Sequence, residues 1–285
     1  MVAPASVAPA GGVKGTVFYK MTGSGNDFVL LDGRSTSVDE WSRRRIIEVC
    51  DRRSGVGADG LVILSPEDGG AVRMAFFNSD GSRAAMCGNA ALCSTRLSAH
   101  LELGPAEGMR LLTDAGVVAT HCLDEDERAE IRLPDTLMPK PVSTITPEAG
   151  ERTIWLGCVG VPHLVVLVDD VGAVDIAGRG RALRHDPAAG PEGANANFIA
   201  APAKAGAPWL IRTFERGVEG ETLACGTGTV AAALAVVGPS VGLPLGFRSW
   251  GGELLTVRAT VRGDVATDVW LGGQGKLVFR GVWGG

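Results

Sequence analysis

Residues 221–229 read ETLACGTGT, and residues 86–94 read MCGNAALCS. Each string sets a cysteine at the mouth of an Ala-containing apolar run with glycine directly after it. The two cysteines, Cys87 and Cys225, stand 138 positions apart, about the length of one domain. The order of segments around them decides the fold.

Before Cys87 come two alternating apolar runs, TVFYKM (16–21) and DFVLLD (27–32), parted by the glycine turn TGSGN. Period-two alternation bounded by turn residues predicts strands. Val38, Trp41, Ile46, Val49 and Cys50 fall on one helical stripe, predicting a helix across that stretch. LVILS (61–65) and VRMAFFN (72–78) read as strands, SDGS as a turn, and AALCSTRLSAHL (90–101) as a helix. The order then recurs: TIWLGCVGVPHLVVLV (153–168) as two strands around a Gly-Pro break, NANFIA (195–200), WLIRTFE (209–215), and a helix after Cys225. Both halves run through β segments into a loop, a cysteine and a helix.

This pattern predicts an α+β protein of two related domains from an internal duplication, with the ligand site in the cleft between them. The expected boundaries are 16–132 and 133–274, with a seam near Arg132–Asp135. The last segment, 275–285, carries KLVFRGVW and is expected to complete the first half. The Ala/Pro/Gly-biased residues 1–15 read as a disordered extension.

Composition excludes several classes. A net charge of −5, one tyrosine and no dense basic patch argue against nucleic-acid binding. No apolar run approaches the roughly 20 residues that span a membrane, and the N-terminus lacks the basic start of a signal peptide. A cytoplasmic protein is expected. The six cysteines show neither CxxC nor paired zinc-type spacing, so no metal is expected. Cys50, Cys93, Cys122 and Cys158 read as small buried hydrophobes.

Cys87 and Cys225 read differently. The first N–H groups of a helix lack internal partners and carry partial positive charge. They can lower a cysteine pKa from about 8.5, and they seat a carboxylate where side chains are small. Gly226, Thr227 and Gly228 follow one cysteine; Gly88, Asn89 and Ala90 follow the other. If both helix starts face one cleft, a carboxylate sits between them with a thiol on either side of its α-carbon. That suits proton abstraction on one face and return on the other, with no cofactor needed.

YKMTGSGNDFVLLD, RRSGVGADGLVIL, FFNSDGSRAAMCGNAALC, GVPHLVV, ANANFI and FERGVEGETLACGTGT resemble, in order, the motifs of diaminopimelate epimerase, across roughly residues 16–283. That family interconverts LL- and meso-diaminopimelate in bacterial lysine and peptidoglycan biosynthesis without pyridoxal phosphate. The resemblance implies two similar domains, each a sheet or barrel wrapped around a helix, a small-molecule substrate and a homodimer. It assigns the acid/base pair to Cys87 and Cys225, with His163 and Glu215 beside the thiols. It places Gly88, Asn89, Gly226 and Thr227 on the reacting carboxylate. Asn26, Asn78, Asn195, Glu215 and Arg216 match substrate contacts, the planar fork of Arg216 suiting a distal carboxylate. Asp27, Asp59 and Asp80 read as turn or structural residues.

Four positions depart from the family pattern. Val161 stands where many members carry Asn, Gly60 where some carry Gln, and Ala90 and Leu92 where Gly and Arg are usual. These bear on substrate more than on mechanism. The alternatives are a related racemase acting on histidine or proline, a thiol/disulfide redox protein using the same cysteines, and a non-catalytic binding module.

Overall fold

The glycine turn TGSGN closes a hairpin. In the computed structural model of the protein, which describes residues 15–123, 127–238 and 240–284, β1 (Thr16–Gly23) pairs antiparallel with β2 (Asn26–Asp32). Ser24 and Gly25 turn the chain at φ 48° and 100°, the left-handed backbone that a two-residue hairpin loop requires. Apart from Gly15, the extension expected over 1–15 lies outside the described residues.

The first half continues with α1 (Arg43–Cys50), β3 (Gly60–Glu67), β4 (Ala71–Asn78), β5 (Arg83–Ala84), α2 (Gly88–His100), β6 (Met109–Thr113), β7 (Gly116–Cys122) and β8 (Arg128–Leu133). Two short strands follow, β9 (Thr136–Leu137) and β10 (Lys140–Pro141). The second half comprises β11 (Glu151–Val159), β12 (Val161–Val168), α3 (Gly178–Arg184), β13 (Asn195–Ala200), β14 (Trp209–Glu215), β15 (Gly220–Thr222) and α4 (Gly226–Val236). Then come β16 (Leu245–Ser249), β17 (Leu254–Arg262), β18 (Val265–Gln274) and β19 (Lys276–Trp283).

Strand pairing repeats between the halves. β1–β2 is antiparallel, β2–β3 parallel, β3–β4 antiparallel, β4–β6 parallel, and β6–β7 and β7–β8 antiparallel. β11 to β14 and then β16 to β18 follow the same senses in the same order. β8 pairs with β18, joining the halves edge to edge. β19 returns to pair with β1, as β10 pairs with β11. The fold is α+β: two related sheet-rich halves, each wrapped around one helix.

Those helices are α2 and α4. In α4 every residue from Gly228 to Leu234 is buried, and a helix apolar on all sides belongs inside a core. α2 is buried nearly all round as well, although it carries Ser94 and Thr95. Their hydroxyls donate to the carbonyls of Ala90 and Ala91 at 2.7 and 2.8 Å, which removes the cost of burying them. Leu92 lies in the same core at 0% exposure, against β18, where a Cβ on Gly273 would come within 2.8 Å of it. Its place in the fold accounts for an apolar residue where a charge is usual. Truncating such a leucine costs on the order of 2–5 kcal/mol.

Two local expectations are corrected. The helix expected from Val38 to Cys50 is a short 3-10 turn, Val38–Glu40, followed by α1. Ser37 and Glu40 form a capping box on the turn, and Ser42 starts α1 by accepting from the Arg45 N–H; two N-caps five residues apart break the stripe. Of the four cysteines expected to be buried, Cys50 and Cys93 are, Cys122 is half-buried, and Cys158 is exposed. Cys158 sits near the end of the β11–β12 hairpin, opposite Pro162, on the outward face of the strand alternation.

Candidate active site

Short hairpins deliver both cysteines to their helices: β4 pairs with β5 before Cys87, and β14 with β15 before Cys225. Cys87 is then the N-cap residue of α2 and Cys225 that of α4, both in extended backbone. The two line one cleft of about 670 Å³. Asn26, Asn78, Gly88, Asn89, Glu215, Gly226 and Thr227 line it too, so nine of the residues singled out in the sequence converge.

Three others do not lie on its wall. His163 is fully buried at 0% exposure. Asn195 is buried, and its Oδ1 accepts from the Arg216 N–H at 2.8 Å, shaping the backbone that carries Glu215. The Arg216 guanidinium lies 3.8 Å from Glu192.

The register relates the walls to each other. Phe28 pairs with Gly60 as His163 pairs with Asn195, and Val62 with Phe76 as Asn197 with Thr213. In the first half Phe28 and Phe76 meet edge to face, centroids 5.9 Å apart. In the second half the equivalent places hold a polar chain. Thr213 Oγ1 donates to Asn197 Oδ1 at 3.0 Å, and Asn197 Nδ2 lies 3.0 Å from the Leu164 carbonyl and 3.3 Å from His163 Nδ1.

The same difference accounts for Ala90. Its counterpart, three residues past the other cysteine, is Gly228, where a Cβ would run into Asn197 Oδ1 and stand 3.2 Å from Cys225 Sγ. Ala90 instead belongs to the apolar cluster of Phe28, Val62 and Phe76. Its methyl is filling, where a methyl on Gly228 would be an obstacle.

Electrostatics correct the expectation of lowered thiol pKa values. Burial pushes the Cys87 thiol up, against a smaller opposing pull from the Ala90 and Asn89 N–H groups. Burial also pushes Cys225 up, to about 11, with the Glu215 charge adding to it and the Gly228 and Thr227 donors opposing. Desolvation outweighs the helix-start field in both. Glu215 is itself raised by burial, while the Thr222 hydroxyl pulls the other way. Burial lowers His163 to about 4, which keeps the imidazole neutral.

A family model described as diaminopimelate epimerase matches residues 18–134 and 157–254. The chain belongs to the diaminopimelate epimerase family. The diaminopimelate epimerase of Gemmatimonas aurantiaca is 43% identical over 286 residues, covering 93% of this chain and 98% of that protein. That of Aquifex aeolicus is 36% identical, covering 93% and 96%. Among solved structures, a Bacillus anthracis PhzF-family phenazine biosynthesis protein superposes with a TM-score of 0.69 at 14% identity, covering 94% of this chain and 99% of that one. A hydroxyproline epimerase from Agrobacterium vitis, with bound trans-4-OH-L-proline, gives 0.58 at 18% identity, covering 94% and 92%.

Within this diaminopimelate epimerase family member, the departure at Gly60 has a local reason, and nothing in the structure accounts for the valine at 161. Gly60 carries no side chain where a Cβ would meet the Phe77 carbonyl at 2.5 Å and the Phe76 ring at 2.7 Å. Val161 is half-buried and occupies the register counterpart of Asn26. Among the described residues, no group of three or more His, Cys, Asp or Glu side chains could hold a metal ion, and no helix is long and apolar enough to cross a membrane.

Sequence reasoning missed the floor of the cleft. Ile131 and Leu271 line it from β8 and β18, strands whose alternation gave no functional signal. It also read Asp59, which lines the cleft beside Asn26, only as a turn or structural residue.

Proposed function

We propose that this chain is a cofactor-independent amino-acid epimerase that interconverts LL- and meso-diaminopimelate, with Cys87 and Cys225 as its two acid/base groups. One observation carries the reading: two cysteines, each the N-cap of a buried helix, open into a single cleft. The walls of that cleft are the two halves, 16–132 with 275–285, and 133–274.

The substrate α-carboxylate sits between the free N–H groups of Gly88 and Asn89 on one side and Gly226 and Thr227 on the other. One sulfur, as thiolate, takes the α-proton. The C–H pair remains on carbon and spreads into the carboxylate, where both sets of donors stabilise it. The opposite thiol gives its proton to the other face, and the centre inverts. Each turnover leaves the thiol protonation reversed. Glu215, raised by burial and close enough to influence Cys225, is suited to exchange a proton with it. His163, neutral behind the wall, orders that side through Asn197. Arg216, whose contact with Glu192 spans 3.8 Å, is free to exchange it for a distal carboxylate, with Asn78 and Asn195 supporting that end.

The test is incubation of purified protein with LL-diaminopimelate in deuterated water, with loss of the α-proton followed by NMR. Cys87→Ser and Cys225→Ser are each expected to lower interconversion by about 10²–10⁴-fold, the usual worth of a positioned acid/base group. Exchange with proline or histidine but not with diaminopimelate would favour a related racemase instead. Full turnover in both serine variants would overturn the two-thiol mechanism.

A further inference from the structure

Asn26 and Asn89 meet on one wall of the cleft, and a carboxylate behind them sets the polarity of their contact. Asn26 Nδ2 donates to Asp59 Oδ2 at 2.9 Å, and Asn89 Nδ2 donates to Asn26 Oδ1 at 2.8 Å. An amide can enter such a chain either way round, whereas a carboxylate has only acceptors to offer. Asp59 therefore takes an N–H from Asn26, which leaves the Asn26 carbonyl for Asn89.

Asp59 is itself clamped. Arg52 Nη2 donates to its Oδ1 at 2.7 Å, and the Asp27 N–H to its Oδ2 at 3.2 Å. The same guanidinium reaches Asp27 Oδ1 at 2.6 Å, and Lys20 Nζ closes the set on Asp27 Oδ2 at 2.5 Å. Asp27 is held to about 2: the hydrogen bonds and charges of Arg52 and Lys20 together outweigh a desolvation that would raise it. Of the two aspartates, only Asp59 touches the Asn26 amide side chain and lines the cleft. The register counterparts of Asn26 and Asp59 in the other half are Val161 and Ala194, so the repeat itself does not call for this arrangement.

We propose that Asp59 is a positioning residue: clamped by Arg52, it fixes the orientation of Asn26 and Asn89 so that the cleft is offered amide N–H donors for a substrate carboxylate. With the chain satisfied, each amide keeps one N–H; the Asn26 carbonyl is engaged by Asn89, and the Asn89 carbonyl is the one amide acceptor left over. Those hydrogens extend the donor set that begins with the free N–H groups of α2. This inference rests on the amino-acid epimerase reading above and deepens it.

Asp59→Asn tests it, since the replacement keeps the shape but can donate as well as accept. Losing a carboxylate-anchored hydrogen bond predicts a fall in kcat/KM of about tenfold or more, carried by KM more than by kcat. The melting temperature is expected to move by less than about 2 °C, and the Asn89 side-chain NH2 resonance to shift toward that of a free amide. Should Asp59→Asn fail to fold, Arg52→Lys, at an exposed position, replaces the fork that bridges both aspartates with a single point donor. It is expected to raise KM by roughly threefold or more. Wild-type turnover of LL-diaminopimelate is the control. Its absence would sink the functional reading, whereas normal wild-type turnover with unchanged KM in the folded variants would overturn the positioning role alone.

Discussion

Ile131 and Leu271 stand opposite each other in the β8–β18 ladder, one beneath each cysteine-bearing helix start. The Ile131 Cδ1 lies 3.6 Å from where a Cβ on Gly88 would be, and the Leu271 Cδ2 lies 2.6 Å from the same point on Gly226. One cross-strand pair thus sets the height of both Cys-Gly loops above the floor of the cleft. Leu271→Ala is expected to cost about 2–4 kcal/mol of stability in denaturant titrations, the usual cost of emptying a fully buried leucine site. Turnover at a temperature where the variant remains folded should fall as well, because the α4 start loses its support. Unchanged kcat/KM in a destabilised variant would separate the floor from the chemistry.

Gly228 and Ala90 form a matched pair of tests. Gly228→Ala drives a methyl between Asn197 and Cys225, so the thiol or the amide must move. A displacement near 1 Å at a reacting group costs on the order of 10²-fold in rate, and that loss is expected here. Ala90→Gly removes a methyl from an apolar contact and places glycine in a helix, so it should cost about 1 kcal/mol in stability while turnover persists. Steady-state kinetics and thermal unfolding of the two variants, side by side, check both halves of this expectation.

The repeat was legible because two signals coincide in the chain: strand-period alternation, and a cysteine followed by glycine at each helix start. Gly88, Asn89, Gly226 and Thr227 came with it as the residues that follow each cysteine, whereas Asn26, Asn78 and Glu215 came only from the resemblance to diaminopimelate epimerase. Ile131 and Leu271 were not legible, because a cleft floor looks like any other buried position of an alternating strand. The placement of Asp59 depends on a guanidinium seven residues away and an amide 33 residues away, and local spacing does not encode that. The thiol pKa values were misjudged for a related reason. Helix-start position can be read from sequence, but the depth of burial that outweighs it is a property of the assembled halves.

His163 should make stability fall on acidification. In the unfolded chain its imidazole titrates near 6.5, while burial holds the folded value to about 4. Between those values the unfolded state binds a proton that the folded state refuses, so unfolding becomes easier as pH drops. The contribution is fully present above about 6.5 and is lost progressively down to about 4, amounting at most to about 3 kcal/mol. His163→Phe, which restores the residue type of its counterpart Phe28, is expected to flatten the melting temperature over that window. A profile as steep as that of wild type would assign the acid sensitivity to other groups.

Cys225 should behave as a reluctant thiol whose reluctance is set in part by Glu215. Burial alone pushes its pKa up, and the Glu215 charge pushes it further, to about 11. In a Cys87→Ser background, alkylation of Cys225 by iodoacetamide should therefore rise about tenfold per pH unit through the neutral range, following the thiolate fraction. Glu215→Gln removes a negative charge that disfavours the thiolate, so labelling at any fixed pH should become faster and the midpoint should move down. If the midpoint moved up instead, Glu215 would be acting chiefly as the acceptor that draws the proton from sulfur. Peptide mass spectrometry of the labelled protein reads the site directly and keeps the other cysteines out of the measurement.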